Sequence, residues 1–230
     1  AGSSTVTNTD GSISSQVRAS QTAGFSIVKY AGSGSSGTVG HSLNSVPNFI
    51  ILKEIDGAEN WRVHHASVEF SKTLFLNLNN AASTNSERIS ATSASTFTLS
   101  SGGAGVNSSS KNYLALCFAP VAGYSAMGSY TGSSSFPFIY CGFRPAFIIL
   151  KKYDGADKWC MYDTARGSFN TLQTQLHPDT SDAESGNYFN LDILSNGFRP
   201  MDTSGQVNEN GKNYIFIAFA ENPFSLARAR

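Results

Sequence analysis

Charge is scarce in this sequence. Charged residues make up 14% of the 230 residues, and the 16 lysines and arginines balance the 16 aspartates and glutamates. A protein that binds nucleic acid needs a basic field to hold the phosphate backbone, and a net charge of zero supplies none. We therefore expect no nucleic-acid partner, and we expect no acidic field that would attract a cationic one.

Long apolar runs and a secretion signal are also missing. The chain has no stretch of about 18 uninterrupted apolar residues, which a membrane-spanning helix would need. Residues 1–10 are polar and lack the charged and apolar segments of a signal peptide. No heptad pattern of a coiled coil occurs. The sequence thus predicts no membrane insertion.

Cysteine is rare, with Cys117, Cys141 and Cys160 as the three examples. Their number is odd and their spacing is not that of metal ligands. Cys117 and Cys141 lie within or beside apolar runs, which favours buried free thiols that act as small apolar side chains. We expect no metal or other cofactor, and we expect assembly in a reducing cytosol.

The clearest positive feature is an internal repeat. Residues 47–61, PNFIILKEIDGAENW, return at residues 145–159 as PAFIILKKYDGADKW. Shorter matches on both sides extend the similarity. Self-similarity at a fixed period indicates repeated structural units. We predict one repeat over residues 23–121 and a second over residues 122–224.

The two ends of the chain fall outside these repeats. Residues 1–22 are rich in serine, threonine and glutamine and have few large apolar groups, so we interpret them as a linker or the end of a preceding domain. Residues 225–230 are predicted to be a C-terminal tail.

Each repeat has the pattern of a series of short strands. In the first, an apolar run at residues 49–52 is followed by an Asp-Gly turn and a tryptophan-bearing segment at residues 61–64, which predicts a β-hairpin. The continuously apolar residues 113–119 predict a strand buried on both faces. The fold class is therefore all-β, with two tandem β-sandwich repeats of jelly-roll or lectin type. In an alternative arrangement, the copies share one larger sandwich.

Catalytic patterns are weak. A glycosidase needs two carboxylates that face one sugar bond, but Asp56 and Asp154 each precede glycine in a predicted turn, which favours a turn role. His64 and His65 are neighbours on a predicted strand and point to opposite faces, so they do not readily bind one ion. We assign no catalytic residue.

Aromatic residues make up 12% of the chain, and many lie near predicted loops beside short polar residues. Exposed aromatic rings of this kind stack on sugar faces while amides and hydroxyls bond to sugar hydroxyls. The rings in question are Tyr30, Tyr124, Tyr130, Phe136, Phe138, Tyr140, Tyr162 and Tyr188.

The candidate ligand-binding residues are Trp159, Tyr162, Asp163 and Arg166, because Arg166 could bind an acidic sugar in a planar, bidentate manner. Two alternatives remain open. Asp163 and Arg166 could form an internal pair that ties down a loop, and Trp159, like Trp61, could be a core residue.

Several segments of the sequence resemble a known family. The segments are Gly-Phe-Ser-Ile-Val at 24–28, the Phe-Ile-Ile-Leu-Lys runs, Tyr-Asp-Thr-Ala-Arg at 162–166, Leu-Ser-Asn-Gly-Phe at 194–198 and the Asn-Tyr-Ile segment at 213–215. Together they resemble the repeated C-terminal domains of bacteriophage tail and tail-fibre proteins. The resemblance implies a homotrimeric virion tail component that is assembled in the bacterial cytoplasm, contacts other tail subunits and acts at the host cell surface.

Three functions follow from this resemblance. The first is a receptor-binding, adhesin-like module that recognises a bacterial surface glycan or another receptor. The second is a structural tail or capsid-decoration module without a ligand. The third is a tailspike that degrades polysaccharide. We expect the first, with no enzymatic activity.

Overall fold

The computed structural model describes residue 2 and residues 4–167, 170–184, 186 and 191–224. Within these residues, every regular secondary-structure element is a β-strand. In the first half these are β1 (Val6–Asn8), β2 (Ser15–Ser20), β3 (Phe25–Ala31), β4 (Gly37–Gly40), β5 (Phe49–Glu54), β6 (Arg62–His65), β7 (Lys72–Phe75), β8 (Ser83–Thr84), β9 (Ile89–Thr92), β10 (Thr96–Leu99) and β11 (Asn112–Phe118). In the second half they are β12 (Ser125–Thr131), β13 (Ile139–Tyr140), β14 (Pro145–Lys152), β15 (Cys160–Asp163), β16 (Leu191–Leu194), β17 (Gly197–Pro200) and β18 (Asn213–Ala220). The predicted all-β class is confirmed.

The chain divides into two compact units. Unit 1 comprises Ala1–Leu76 and Ala82–Pro120, and unit 2 comprises Asn77–Ala81 and Val121–Arg230. Within the described residues, no helical segment has the length and apolar character needed to cross a bilayer.

Unit 1 contains an eight-stranded sheet in the order β1-β2-β3-β11-β5-β6-β7-β8 and a three-stranded sheet in the order β4-β10-β9. All strand pairs are antiparallel. Val28, Leu52 and Ala115 of the large sheet belong to the same buried cluster as Phe97 and Leu99 of the small sheet. Two sheets that enclose one apolar core are typical of a β-sandwich.

Unit 2 is built in a similar way. Its larger sheet has the order β12-β18-β14-β15, and its smaller sheet has the order β13-β17-β16. Ile148, Leu150 and Phe216 of the larger sheet form one buried cluster with Ile193 and Phe198 of the smaller sheet. The β14–β15 pair corresponds to the β5–β6 pair of unit 1, because the first strand of each pair is the apolar run that the sequence repeats.

The turns after β5 and β14 show how these hairpins are fixed. The Asp56 carboxylate accepts hydrogen bonds from the backbone N and the side-chain Nδ2 of Asn112, at 2.6 and 2.9 Å. The Asp154 carboxylate accepts the same two bonds from Asn213, both at 3.0 Å. These bonds lower the pKa of Asp56. Both aspartates therefore lie in the connection that follows the apolar strand, but this connection is not the predicted tight Asp-Gly turn, because neither Gly57 nor Gly155 has a positive φ. Each aspartate instead holds the first residue of a neighbouring strand, β11 or β18.

Residues 1–22, interpreted from the sequence as a linker or the end of a preceding domain, belong to unit 1. Strand β2 pairs with β3 over six residues, and β1 pairs with β2, so this segment extends the large sheet of unit 1. Val17 is fully buried in the core. The segment has few apolar residues because alternate residues of β2 face outward, so that Ile13 and Val17, with Ala19 beside them, are sufficient to anchor it in the core.

The predicted repeat boundaries also differ from the structure. The chain passes from unit 1 to unit 2 between Pro120 and Val121, and Asn77–Ala81 belongs to unit 2 although it lies within the predicted first repeat. The Asn79 carbonyl accepts hydrogen bonds from Lys151 Nζ at 2.9 Å and from the backbone N of Asp157 at 2.8 Å. These backbone carbonyl contacts leave no pattern in the sequence. The predicted tail, residues 225–230, lies outside the described residues.

Candidate functional site

Two of the four predicted ligand-binding residues lie in the core. Trp159 and Tyr162 are both 0% exposed. The Tyr162 hydroxyl donates a hydrogen bond to Gln175 Oε1 at 2.9 Å, and burial raises the pKa of Tyr162 well above its ordinary value. Neither ring can contact a ligand at the surface while it is buried in this way. For Trp159, the alternative prediction of a core residue is confirmed.

The other two, Asp163 and Arg166, pair with each other at the end of β15. Asp163 accepts hydrogen bonds from the backbone N of Arg166 at 2.9 Å and from Arg166 Nε at 2.5 Å. Partial burial opposes ionisation of Asp163, but the bonds from Arg166 outweigh it and lower the pKa of this carboxyl group. Arg166 Nη1 also lies 3.4 Å from Glu184 Oε1. The structure therefore shows the alternative arrangement, an internal pair that holds a loop.

The loop that this pair holds forms one wall of a polar cleft in unit 2. The cleft has a volume of about 190 Å³. Its walls come from the start of β14, the end of β15, the end of β18 and the edge of β16. The lining residues are Arg144, Thr164, Gly167, Asn170, Leu172, Ile193 and Glu221.

The charged part of the cleft is an ion pair between Arg144 and Glu221. Arg144 Nε lies 3.0 Å from Glu221 Oε2, and Arg144 Nη1 donates a hydrogen bond to the Ile193 carbonyl at 3.1 Å. The backbone N of Glu221 donates to the Arg144 carbonyl at 2.9 Å. The two residues are thus held side by side by their backbones. Their side chains are 41% and 42% exposed, so a ligand can reach both.

Asn170 builds the opposite wall. Its Oδ1 accepts a hydrogen bond from the backbone N of Ile193 at 2.9 Å, and its Nδ2 donates to the Ile193 carbonyl at 3.1 Å and to Asp192. The side-chain amide thereby satisfies the backbone groups at the free edge of β16. A Cβ atom at Gly167 would lie 2.6 Å from Leu172 Cδ2, so a side chain there would crowd the wall. Asn170 and Gly167 shape the cleft.

The groups that face a ligand are of mixed type. The Arg144 guanidinium offers donors, the Glu221 carboxylate offers acceptors, and the Thr164 side chain carries a hydroxyl. Such a combination suits a ligand with many hydroxyl groups, because each hydroxyl both donates and accepts.

Unit 1 has no counterpart of these groups. At the positions of the arginine, threonine and glutamate of the cleft it has Val46, Ala66 and Pro120. The correspondence is also visible in the backbone, because Ala66 N donates to Asn48 O at 2.7 Å just as Thr164 N donates to Ala146 O at 2.9 Å. The polar cleft is thus specific to unit 2.

Cysteine and histidine give no sign of a reactive site in the described residues. The three cysteines are free, and burial raises the pKa of Cys117 and of Cys141 to about 12. His64 is buried and stacks on Phe70 with ring centroids 4.7 Å apart. Among the residues that the structure describes, no group of three or more His, Cys, Asp or Glu side chains could hold a metal ion.

The aromatic residues that the sequence indicated are divided between core and surface. Tyr30 is buried and Tyr130 packs against the core of unit 2, whereas Tyr140 is 67% exposed and Phe138 is 42% exposed. Tyr188 lies outside the described residues. Sequence reasoning missed Arg144, Thr164 and Glu221, although a comparison of the two copies at Val46 and Ala66 would have indicated a gain of polar groups in the second copy.

Fold and cleft together define an all-β protein of two compact units, one of which carries a small polar cleft open to solvent. The chain belongs to the family described as a domain of unknown function, DUF7483, whose model matches residues 1–223. No curated protein and no solved structure matches the chain.

Proposed function

We propose that this protein is a bacteriophage tail or tail-fibre module that binds the host bacterial surface, and that its ligand is a glycan held in the cleft of unit 2. The sequence resemblance supports the virion setting. The observation that carries the glycan ligand is the cleft itself, where an accessible guanidinium, a carboxylate and a hydroxyl converge.

The size of the cleft favours a small part of a larger ligand. Its volume of about 190 Å³ is below the range of about 300–1,000 Å³ that is typical of pockets for drug-sized molecules. One sugar ring of a polysaccharide suits this space. A single contact of this kind is weak, and the homotrimer that the tail-fibre resemblance implies would raise the overall affinity by multivalency.

The chemistry of the cleft favours binding over cleavage. Glycoside hydrolysis requires two carboxyl groups, placed about 5 to 9.5 Å apart on the two sides of the bond. Among the described lining residues, Glu221 is the one carboxylate, and it is paired with Arg144. Unit 1 has Val46, Ala66 and Pro120 at the positions of Arg144, Thr164 and Glu221, so the polar groups that would bind a ligand occur in one of two similar units. This difference also favours a binding role for the cleft.

The test is binding of the purified, fluorescently labelled chain to a panel of bacterial cells and to their extracted polysaccharides. Arg144→Val gives the cleft the valine that unit 1 has at the corresponding position, Val46, and is expected to reduce binding at least tenfold. Lys29→Val is the matched control, because it removes one positive charge from an exposed position on β3 of unit 1.

Strain-selective, saturable binding that Arg144→Val reduces and Lys29→Val retains supports the proposal. A chain that binds no cells in its native oligomeric state contradicts it and favours the structural tail or capsid-decoration module. Shortened polysaccharide in the same samples would favour a tailspike enzyme.

A further inference from the structure

The charges around the cleft indicate which kind of sugar it selects. The Arg144 and Glu221 side chains cancel each other within the cleft. Charged residues that adjoin the lining or bond to its neighbours add more negative than positive charge. Counted together, the carboxylates are Asp163, Glu184, Asp192 and Glu221, and the guanidinium groups are Arg144, Arg166 and Arg199, which lies opposite Asp192 in the β16–β17 pair.

A neutral sugar fits this arrangement without breaking it. Neighbouring hydroxyls on a sugar ring can accept a hydrogen bond from Arg144 and donate one to Glu221 at the same time. Hydrogen bonds with one charged partner are stronger than neutral ones, so both contacts are favourable. The backbone hydrogen bond between these two residues already holds the ion pair in place, so the two side chains lose little conformational freedom when the ligand binds.

An acidic sugar meets the opposite situation. Arg144 is the guanidinium in the lining that its carboxylate would pair with, but Glu221 Oε2 already lies 3.0 Å from Arg144 Nε. The sugar must either displace Glu221 or lie beside it, and two like charges in contact repel each other. The cleft thus penalises the ligand that an isolated arginine would attract.

We infer that the cleft of unit 2 selects neutral sugars and that Glu221 excludes acidic ones by occupying Arg144. This inference rests on the proposed function, since it names the class of glycan that the same cleft binds. Glu221 is a specificity residue in this arrangement.

Matched pairs of sugars test the inference. The methyl glycosides of glucose, galactose and mannose differ from those of the corresponding uronic acids at one carbon, where a hydroxymethyl group replaces the carboxylate. Dissociation constants come from ligand-observed NMR titrations with the full chain at low salt, where the electrostatic penalty is least screened. We expect at least one neutral sugar to bind about tenfold more tightly than its acid, with a smaller ratio at high salt.

Two variants make the test specific. Glu221→Gln removes the competing charge and frees Arg144 for a bidentate carboxylate contact, so we expect the preference to invert in favour of the acid. Glu69→Gln is the control, because it removes the same charge from a side chain of unit 1 that is 72% exposed. It is expected to keep the ratio of the wild-type chain.

The outcomes separate the two proposals. A wild-type chain that binds the acids as tightly as the neutral sugars, or a Glu221→Gln variant with an unchanged ratio, overturns the inference and leaves the glycan-binding function in place. A wild-type chain that binds no sugar of any pair contradicts the glycan ligand and the inference together.

Discussion

The two units present different chemistry on a similar backbone. Where β14, β15 and β18 of unit 2 meet, the side chains are an arginine, a threonine and a glutamate, and at the same places unit 1 has Val46, Ala66 and Pro120. The strands that hold these positions pair in the same order in both units. Residues at strand ends and in loops can thus differ in their polar groups while the strands of the sheet pair in the same order.

A second difference lies inside the sheets. Glu54 on β5 and Lys152 on β14 occupy corresponding positions, each opposite a tyrosine of the neighbouring strand. Glu54 Oε1 lies 3.3 Å from Lys111 Nζ, whereas Lys152 Nζ lies 2.9 Å from Asp157 Oδ2 and 3.0 Å from Glu209 Oε2. The sign of the buried charge is reversed, yet each unit supplies a partner of opposite sign. What both units retain is the ion pair.

The largest expected effect concerns the two tryptophans that immediately precede β6 and β15. Trp159 is 0% exposed and Trp61 is 39% exposed. Trp159→Ala should lower the free energy of unfolding by about 4 kcal/mol, because truncation of a buried aromatic ring leaves a cavity. Trp61→Ala should cost about 1–2 kcal/mol, since part of that ring is already in water. Urea denaturation followed by far-UV circular dichroism measures both, and equal losses would contradict the difference in burial.

The next effect depends on pH and separates His64 of unit 1 from Tyr162 at the corresponding place in unit 2. Burial, with a smaller contribution from the charge on His65, lowers the pKa of His64 to about 4. Its Nε2 atom is buried and has no hydrogen-bond partner among the described residues. In the unfolded chain this imidazole takes up a proton near pH 6.5, whereas the folded chain resists protonation until about pH 4.

The sign follows from these two values. The unfolded state binds more protons between pH 6.5 and pH 4, so stability is complete above pH 6.5 and falls as the pH drops through this window. The loss from His64 is about 3 kcal/mol, at about 1.4 kcal/mol per pKa unit. His64→Phe should remove this part of the pH dependence in urea denaturation curves. Tyr162→Phe is the control, because a phenol with a raised pKa does not titrate there; if both variants respond alike, His64 is not the titrating group.

A smaller effect tests the reversed buried charge. Lys152→Met leaves the carboxylates of Asp157 and Glu209 without their ammonium partner, and their side chains are 19% and 45% exposed. Because water can partly solvate both, we expect a loss of about 2 kcal/mol, below the value of about 3–5 kcal/mol for breaking a fully buried pair. Lys158→Met, whose side chain is 34% exposed and pairs with Asp182, should cost less than about 1 kcal/mol. Losses of equal size in thermal unfolding would show that burial is not decisive.

Local sequence patterns predicted the central hairpin and the closing strand of each copy. The apolar runs at the centre of each copy became β5 and β14, and the closing apolar segments at residues 113–119 and 214–220 became β11 and β18. The tight Asp-Gly turns did not form, because Asp56 and Asp154 bond to the first residues of β11 and β18 in longer connections. Strands β1 and β2 were missed because they form one end of the large sheet, where a segment needs few apolar residues. The burial of Trp159 and the exposure of Trp61 could not be separated either, since the two lie in nearly the same local pattern.

The cleft could not be found from local patterns, because its residues are far apart in the chain. The pairing of Pro145 with Ala220 places Arg144 beside Glu221, and the side chain of Asn170 then reaches the backbone of Ile193. Three of the four candidate residues chosen from the sequence, Tyr162, Asp163 and Arg166, lay one or two positions from Thr164, and Trp159 lay five positions away. Strand register, which short patterns leave open, decided which side chains converge.

The smallest expected effect on stability is that of Arg144→Val. The ion pair of Arg144 with Glu221 is exposed by about two-fifths on both sides, and such pairs contribute about 0–1 kcal/mol. Valine is also tolerated at this place, since Val46 occupies it in unit 1 with 45% exposure. We therefore expect the free energy of unfolding to change by less than about 0.5 kcal/mol in urea denaturation, and a double-mutant cycle with Glu221→Gln to give a coupling energy below about 1 kcal/mol.

Because the expected change in the free energy of unfolding is small, stability and binding can be separated in the Arg144→Val variant. If Arg144→Val keeps its stability and loses binding, the loss belongs to the chemistry of the cleft and not to unfolding of unit 2. A drop of more than about 2 kcal/mol would instead show that the pair holds the ends of β14 and β18 together. Arg144 would then be a structural residue that the apolar Val46 replaces in unit 1, and the contrast between the two units would lie in stability instead of recognition.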